Sequence, residues 1–269
     1  MFEKVNPAHP DKVADRIAGA IVDACYRMAE APHVAVEVLV GHGDATVMVE
    51  TDTPLNDRDV RSAALRLLGR GTNVRAIIVP QDEHLNGNQR GAVRCGDNGI
   101  FKGMPITDEQ RALSSFMRDL YNDFPTDGKG IIQDGEIVLC QSNMTDDDMT
   151  RWLLTRPSGE PRVRSVNPLG EWSGGTDVDA GATNRKLGSD MGDAVTGGGL
   201  HGKDLSKADV TVNIYCHVMA QLTGKPYSVA CAIGDETVDG HPYADLVAMA
   251  RTYIRAVGGF EKFAEWGLI

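Results

Sequence analysis

KGIIQDGEIVLCQ, Lys129 to Gln141, reads as two short strands joined at Asp134-Gly135. An Asp-Gly pair between apolar runs signals a type I′ turn, because both central residues must take positive φ. A helical stretch, about Asp108 to Tyr121, precedes this hairpin, and Thr145 opens a short helix through Leu154. The same order occurs earlier in the chain. Pro10 suits a first helical position, and Val13, Ile17, Ala20, Ile21, Ala24 and Met28 recur at helical spacing to about Ala29. VAVEVLV (Val34 to Val40), the turn Gly41-His42-Gly43-Asp44 and ATVMVET then form a second hairpin. Asn56 caps a helix that runs through Leu68 and ends at Gly69, and VRAIIVP, Val74 to Pro80, follows as a buried strand. Nearer the C-terminus come a helix from Lys207 to Leu222, the strand PYSVACAIG and a helix from Pro242 to Ala256. Helix–hairpin–helix thus appears twice and once in trimmed form, which predicts an α/β (α+β) fold of three related units. The expected boundaries are 1–82, 83–172 and 173–269. The polar segment Gln81 to Gly99 is read as a long loop, of the kind that is a lid, a binding loop or disordered, and the Gly-, Pro- and Asp-rich segment Arg156 to Val195 as mostly loop.

At 269 residues, 42% hydrophobic and 24% charged, the composition is that of an ordinary globular protein. A net charge of −11 argues against nucleic acid or an anionic membrane as the main partner. Cys25, Cys95, Cys140, Cys216 and Cys231 are dispersed, without a C-x-x-C pair, and read as reduced thiols. The N-terminus MFEKVNPAHPDK has no apolar leader, and no apolar run is long enough to span a bilayer. A cytoplasmic protein is the expectation.

The chemistry gathers in a few polar segments. TGGGLHGKDLSKAD, Thr196 to Asp209, offers close backbone approach, free N–H groups and two lysines to an anion. Its Gly197 to Lys203 spacing fits a P-loop, but Asp204 stands where the Mg²⁺-binding hydroxyl belongs, and no strand leads into it. A plain glycine turn with solvated lysines is the simpler alternative. His9, Asp11 and Lys12 crowd the first turn of the first helix. Glu37 sits in an otherwise apolar strand, where a carboxylate is either paired, holding a cation, or on a solvated edge. With Asp97, Asp127, Lys129, Asp179, Arg185, Lys186, Lys203, Lys207 and Asp209, the set supplies cations for a phosphate chain and carboxylates for Mg²⁺ and an ammonium group.

These segments resemble, in order, the motifs of the S-adenosylmethionine synthetase (methionine adenosyltransferase) family. AHPDKVADRI, at Ala8 to Ile17, is similar to its GHPDK signature. RCGDNG resembles its GAGDQG, FPTDGKGIIQ its D-x-K segment, NPLGEWSGG and GATNRK its NP-x-G-x-F-x-x-GG and GLTGRK, and GGGLHGKDLSKAD its GGGAFSGKDPSKVD. The resemblance implies three units in a pseudo-threefold arrangement and transfer of the adenosyl group of ATP to methionine sulfur, with hydrolysis of the triphosphate to phosphate and pyrophosphate. It implies His9, Lys129, Arg185 and Lys203 as catalytic residues, and Lys12, Asp127, Trp172 and Lys186 as further ATP ligands. Asp44, Gln81, Asp97, Asp179 and Lys207 would hold methionine. Asp11 and Asp209 would hold Mg²⁺, two ions per site, and Glu37 would hold K⁺. It also implies a homodimer with shared sites, or a tetramer built from it. The departures are equally specific: Ala8 for glycine, Asp44 for glutamate, Asp190-Met191-Gly192-Asp193-Ala194 for DTYGG, a shorter 199–202 turn, and a chain about a third shorter than usual. A weak homologue that binds or regulates a full-length synthetase is the alternative.

Overall fold

The computed structural model describes residues 1–82, 99–156 and 161–269. Among them, three hydrophobic cores pack against two four-stranded sheets and two small two-stranded ones. β1 (Phe2–Val5) leads to α1 (Pro10–Met28), then to the hairpin β2 (Val34–Gly41) and β3 (Asp44–Thr51), α2 (Asp57–Leu68) and β4 (Asn73–Val79). His42 and Gly43 take the two positive φ values that the hairpin turn requires. Asn56 and Asp59 form a capping box that starts α2, satisfying N–H groups the helix cannot pair itself. β3 and β4 are parallel, with α2 as the crossover, so the sheet order is β4-β3-β2-β9, where β9 is Ala180–Ala182.

The middle of the chain builds the same topology again. After β5 (Gly99–Gly103) come α3 (Asp108–Asp123), the hairpin β6 (Gly128–Gln133) and β7 (Glu136–Gln141), α4 (Asp146–Leu154) and β8 (Arg162–Val166). β7 and β8 are again parallel, and the order β1-β6-β7-β8 mirrors that of the first sheet. Each four-stranded sheet is completed by a strand from elsewhere: β1 joins the second, β9 the first. The trimmed third unit comprises α6 (Ala208–Thr223), β10 (Tyr227–Cys231) paired with β5, the small β11 (Thr237–Val238) and β12 (His241–Pro242), α7 (Tyr243–Val257) and α8 (Phe260–Trp266). The segment expected as loop contains β8, β9 and the short α5 (Leu187–Met191). β9 is three residues of Ala and Gly, too short to show an alternating pattern. β1, β5 and α8 also lie outside the elements the sequence suggested.

α1 buries Val13, Ile17 and Ile21 against Val36, Val38, Val47 and Val49 of the first sheet and Phe260 and Phe263 of α8. Burying such side chains contributes about 1.5–3 kcal/mol each. The opposite face of this sheet is open: Leu39 is 57% and Met48 41% exposed, and on the second sheet Ile131 is 40% exposed. Among the described residues, no helix is long and apolar enough to cross a membrane.

Candidate active site

The edge of β2 positions the polar residues. At its C-terminal end β9 pairs with it, Leu39 opposite Ala182. At its N-terminal end the Gly202–Asp204 segment runs alongside, through Val36 N to Gly202 O (2.7 Å) and Asp204 N to Val34 O (3.1 Å). Two clusters therefore hang on one strand edge.

The first cluster surrounds the N-terminus of α1. A Cβ on Gly181 would lie 2.1 Å from the Pro10 carbonyl carbon and 2.3 Å from Asp11 N, so glycine alone lets β9 touch the start of the helix. Through that approach the Ala182 N–H donates to Asp11 Oδ1 (2.9 Å), while Lys186 Nζ donates to Asp11 Oδ2 (2.6 Å). Arg185 lies 3.7 Å from Asp11 Oδ1 and is mostly exposed. Burial on its own would raise the Asp11 carboxyl, but these hydrogen bonds outweigh it and hold the group below its ordinary range. His9 caps α1, and its Nδ1 accepts the Asp11 N–H at 3.2 Å. Nδ1 is thus unprotonated and the ring proton sits on Nε2. Burial, with Lys186 adding to it, lowers the imidazole to about 4, so the ring is neutral at pH 7. Asp127 accepts the Gly175 N–H (3.1 Å), and burial raises its carboxyl to about 6, with Asp179 and Asp11 adding to the rise. Trp172 donates to Asn167 (3.1 Å) and flanks the same glycine turn as Asp127. Lys129 is paired with Glu3 (2.7 Å), and both it and Asp179 act electrostatically on His9.

The second cluster is Lys203, paired with Asp209 at the start of α6. Both line a cavity of about 730 Å³ with Val195–Gly199 and Gly99–Lys102. A Cβ on Gly198 would meet Asp209 Oδ1 at 2.3 Å, so the glycines pack against the carboxylate. Lys207 is the N-cap residue of α6. Lys102 is a second cation lining this cavity; a single lysine in a short strand carried no motif to single it out.

Other expected site residues lie elsewhere. Lys12 is fully buried, its Nζ 3.1 Å from Asp15 Oδ2 and 2.6 Å from Asp190 Oδ2, so it faces the interior and not the cleft. Burial opposes its charge, but the carboxylates of Asp190 and Asp15 win and raise it above its ordinary value. Glu37 lies on the open face of the first sheet and accepts the Thr183 hydroxyl. Asp44 accepts from Asn73 (2.7 Å) at the start of β3, and Gln81 is buried beyond β4. Asp97 lies outside the described residues. Sequence reading missed Asp15, Asn184, Asp190 and His201; only the Lys12/Asp15 spacing of one helical turn pointed towards them.

Asp11 and Asp209 offer the hard oxygen donors Mg²⁺ prefers, and each already faces a lysine ammonium where a cation is stable. The donor set fits that ion when it arrives with phosphate oxygens completing its shell. Glu37 with the Thr183 oxygen is a comparable oxygen pair for a monovalent cation.

Known proteins match this architecture. The S-adenosylmethionine synthetase N-terminal domain family matches residues 1–69. The S-adenosylmethionine synthase of Oenococcus oeni is 26% identical, covering 81% of this chain and 72% of its own length. S-adenosylmethionine synthase 1 of Rhodopseudomonas palustris is 29% identical over 88% of this chain and 82% of its own length. In structure, an unusual S-adenosylmethionine synthetase from Campylobacter jejuni superposes with a TM-score of 0.75 at 20% identity, covering 100% of this chain and 95% of the other. The chain has the fold of the S-adenosylmethionine synthetases and resembles a shortened, divergent member of their family.

Proposed function

We propose that the protein transfers the adenosyl group of ATP to the sulfur of L-methionine, forming S-adenosylmethionine, and hydrolyses the released triphosphate to phosphate and pyrophosphate. One observation carries this reading: a neutral histidine with its proton on Nε2 stands beside Asp11, Lys186 and Arg185 at one helix N-terminus. Thioether sulfur attacks the ribose 5′ carbon without needing a base. The barrier is the negative charge that builds on the departing triphosphate oxygen. His9 Nε2–H donates to that oxygen, and Lys129, Arg185, Lys186 and Lys203 meet the charge spread along the phosphates. Mg²⁺ on Asp11 and Asp209 supplies further neutralisation when bound, and K⁺ would sit at Glu37. Trp172 offers a ring face for adenine. Asp179 and Lys207 would hold the ends of methionine.

Only the first cluster holds His9, and only the second holds Lys203. We read this as two halves of a site that a second copy of the chain completes, its open sheet face with Leu39, Met48 and Ile131 meeting the same face of a partner. Purified protein given ATP, methionine, Mg²⁺ and K⁺ should form S-adenosylmethionine, seen by mass spectrometry, with phosphate and pyrophosphate in equal amounts. ATP cleavage to ADP that ignores methionine would overturn the reading.

A further inference from the structure

Between the two clusters on the β2 edge, four buried polar side chains meet. Lys12 and Asp15 come from α1, Asp190 from α5, and His201 from the glycine segment. One ligand-capable atom each of Asp15, Asp190 and His201 lies within 4.8 Å of the others, a spacing a metal ion could use. Lys12 Nζ fills the middle, 3.1 Å from Asp15, 2.6 Å from Asp190 and 3.3 Å from His201 Nε2. The cation of this cage is supplied by the chain itself.

His201 Nε2 is also 2.8 Å from Asp190 Oδ2, to which it donates, since an ionised carboxylate only accepts. The imidazole packs against Phe263, with ring centroids 5.5 Å apart. The backbone of His201 is fixed just as firmly. Its N–H donates to Asn184 Oδ1 (2.9 Å), its carbonyl accepts from Asn184 Nδ2 (3.2 Å), and the Asn184 N–H donates to Asp15 Oδ1 (2.8 Å). Asn184 lies two residues past the end of β9 and immediately precedes Arg185 and Lys186. The network therefore reaches the helix that begins at His9 and Asp11, the Arg185-Lys186 pair, and the segment that carries Lys203.

We propose that His201 is a positioning residue: with Lys12, Asp15, Asn184 and Asp190 it forms a buried clamp that fixes the glycine segment of Lys203 relative to the helix of His9. The clamp stands on geometry alone; its effect on turnover rests on the adenosyl-transfer reading above. In it, Lys12 acts as the internal counter-ion of two carboxylates and touches no phosphate. Breaking one corner loosens Gly199–Lys203, whose only side chain in the first core is Leu200, and leaves the second and third cores untouched.

Hydrogen exchange on the full-length protein tests the clamp without needing catalysis. In His201→Leu, the amides of residue 201, Val36 and Asp204, which seal the glycine segment to its neighbours, should exchange at least about tenfold faster. Amides of β6 and β7 should keep their protection, which separates local release from unfolding. His201→Gln, whose amide can donate to Asp190, should restore slow exchange. In steady-state assays, His201→Leu should lower kcat about tenfold or more while KM for both substrates changes less than about threefold, and His201→Gln should recover most of it. Unchanged exchange at residue 201, Val36 and Asp204 in His201→Leu overturns the clamp. Wild-type protein that forms no S-adenosylmethionine overturns the catalytic reading and leaves the exchange result to decide the clamp.

Discussion

Lys186 Nζ sits 2.6 Å from Asp11 Oδ2, holding a buried carboxylate ionised at the mouth of the helix that His9 caps. Without that ammonium, burial would dominate the carboxyl. Lys186→Met should therefore raise the Asp11 carboxyl, followed by carbon NMR titration, and lower turnover by about a hundredfold. An Asp11 titration that does not move in the variant would show that the Ala182 N–H alone sets it.

His9 is held neutral, with its imidazole lowered to about 4. As a lowered histidine it keeps its neutral form until pH falls through that value, so His9 should impose no change in rate between about pH 5 and 8. His9→Ala should cost about a hundredfold in kcat across that whole range. A loss confined to pH below 6.5 would point to an imidazolium acting as acid.

Asp127 shows the opposite case, a carboxyl raised by burial to about 6. The folded protein binds more protons at this site than the unfolded chain between the ordinary aspartate value and 6. Ionised Asp127 thus opposes folding above about pH 6, and the cost fades as pH falls through that value. Asp127→Asn, which can still accept the Gly175 N–H, should melt higher than wild type at about pH 7.5, and the gain should shrink towards pH 5. A gain that is the same at both pH values would remove burial of the charge as its cause.

Gly181→Ala should be damaging, because its Cβ would meet backbone atoms of Pro10 and Asp11 and not a movable side chain. Overpacking of this kind costs about 1–3 kcal/mol, measurable by urea unfolding. Loss of activity with unchanged stability would mean that β9 yields and the Asp11 contact alone is lost.

If the two clusters are half-sites of one shared centre, as proposed, a complementation test becomes possible. His9→Ala and Lys203→Ala subunits, each inactive alone, should regain about a quarter of the sites' activity when mixed and allowed to exchange. A monomeric mass together with full activity at high dilution would show that one chain completes its own site.

The hairpins were legible because their signals are local. Asp134-Gly135 announces its turn, and in the structure both residues take positive φ, at 51° and 76°. The caps at Asn56 and Thr145 start their helices as the sequence suggests. His9, Asp11, Arg185 and Lys186 could be named from motif order, and the fold brings them together. What could not be read was pairing between distant segments. β9 is visible as a strand only because β2 offers it an edge, and Lys12 looked like a phosphate ligand until Asp190, 178 residues away, claimed it. His201 had no signal at all, since its meaning comes entirely from Asp190 and Asn184.

The exchange of strands between sheets also governs how the chain acquires its shape. Phe2 waits for Ile132 before β1 has a partner, and Leu39 waits for Ala182. Long-range pairing of this kind slows folding, because loop closure must precede any gain from the contact. On the ribosome, the first hairpin and its helix can pack early, but the edge of β2 stays bare until Ala180–Ala182 emerges. The strand edge on which the polar clusters hang is therefore the last part of the first sheet to close, and in a stalled or truncated chain it is the surface open to strand pairing with a neighbour.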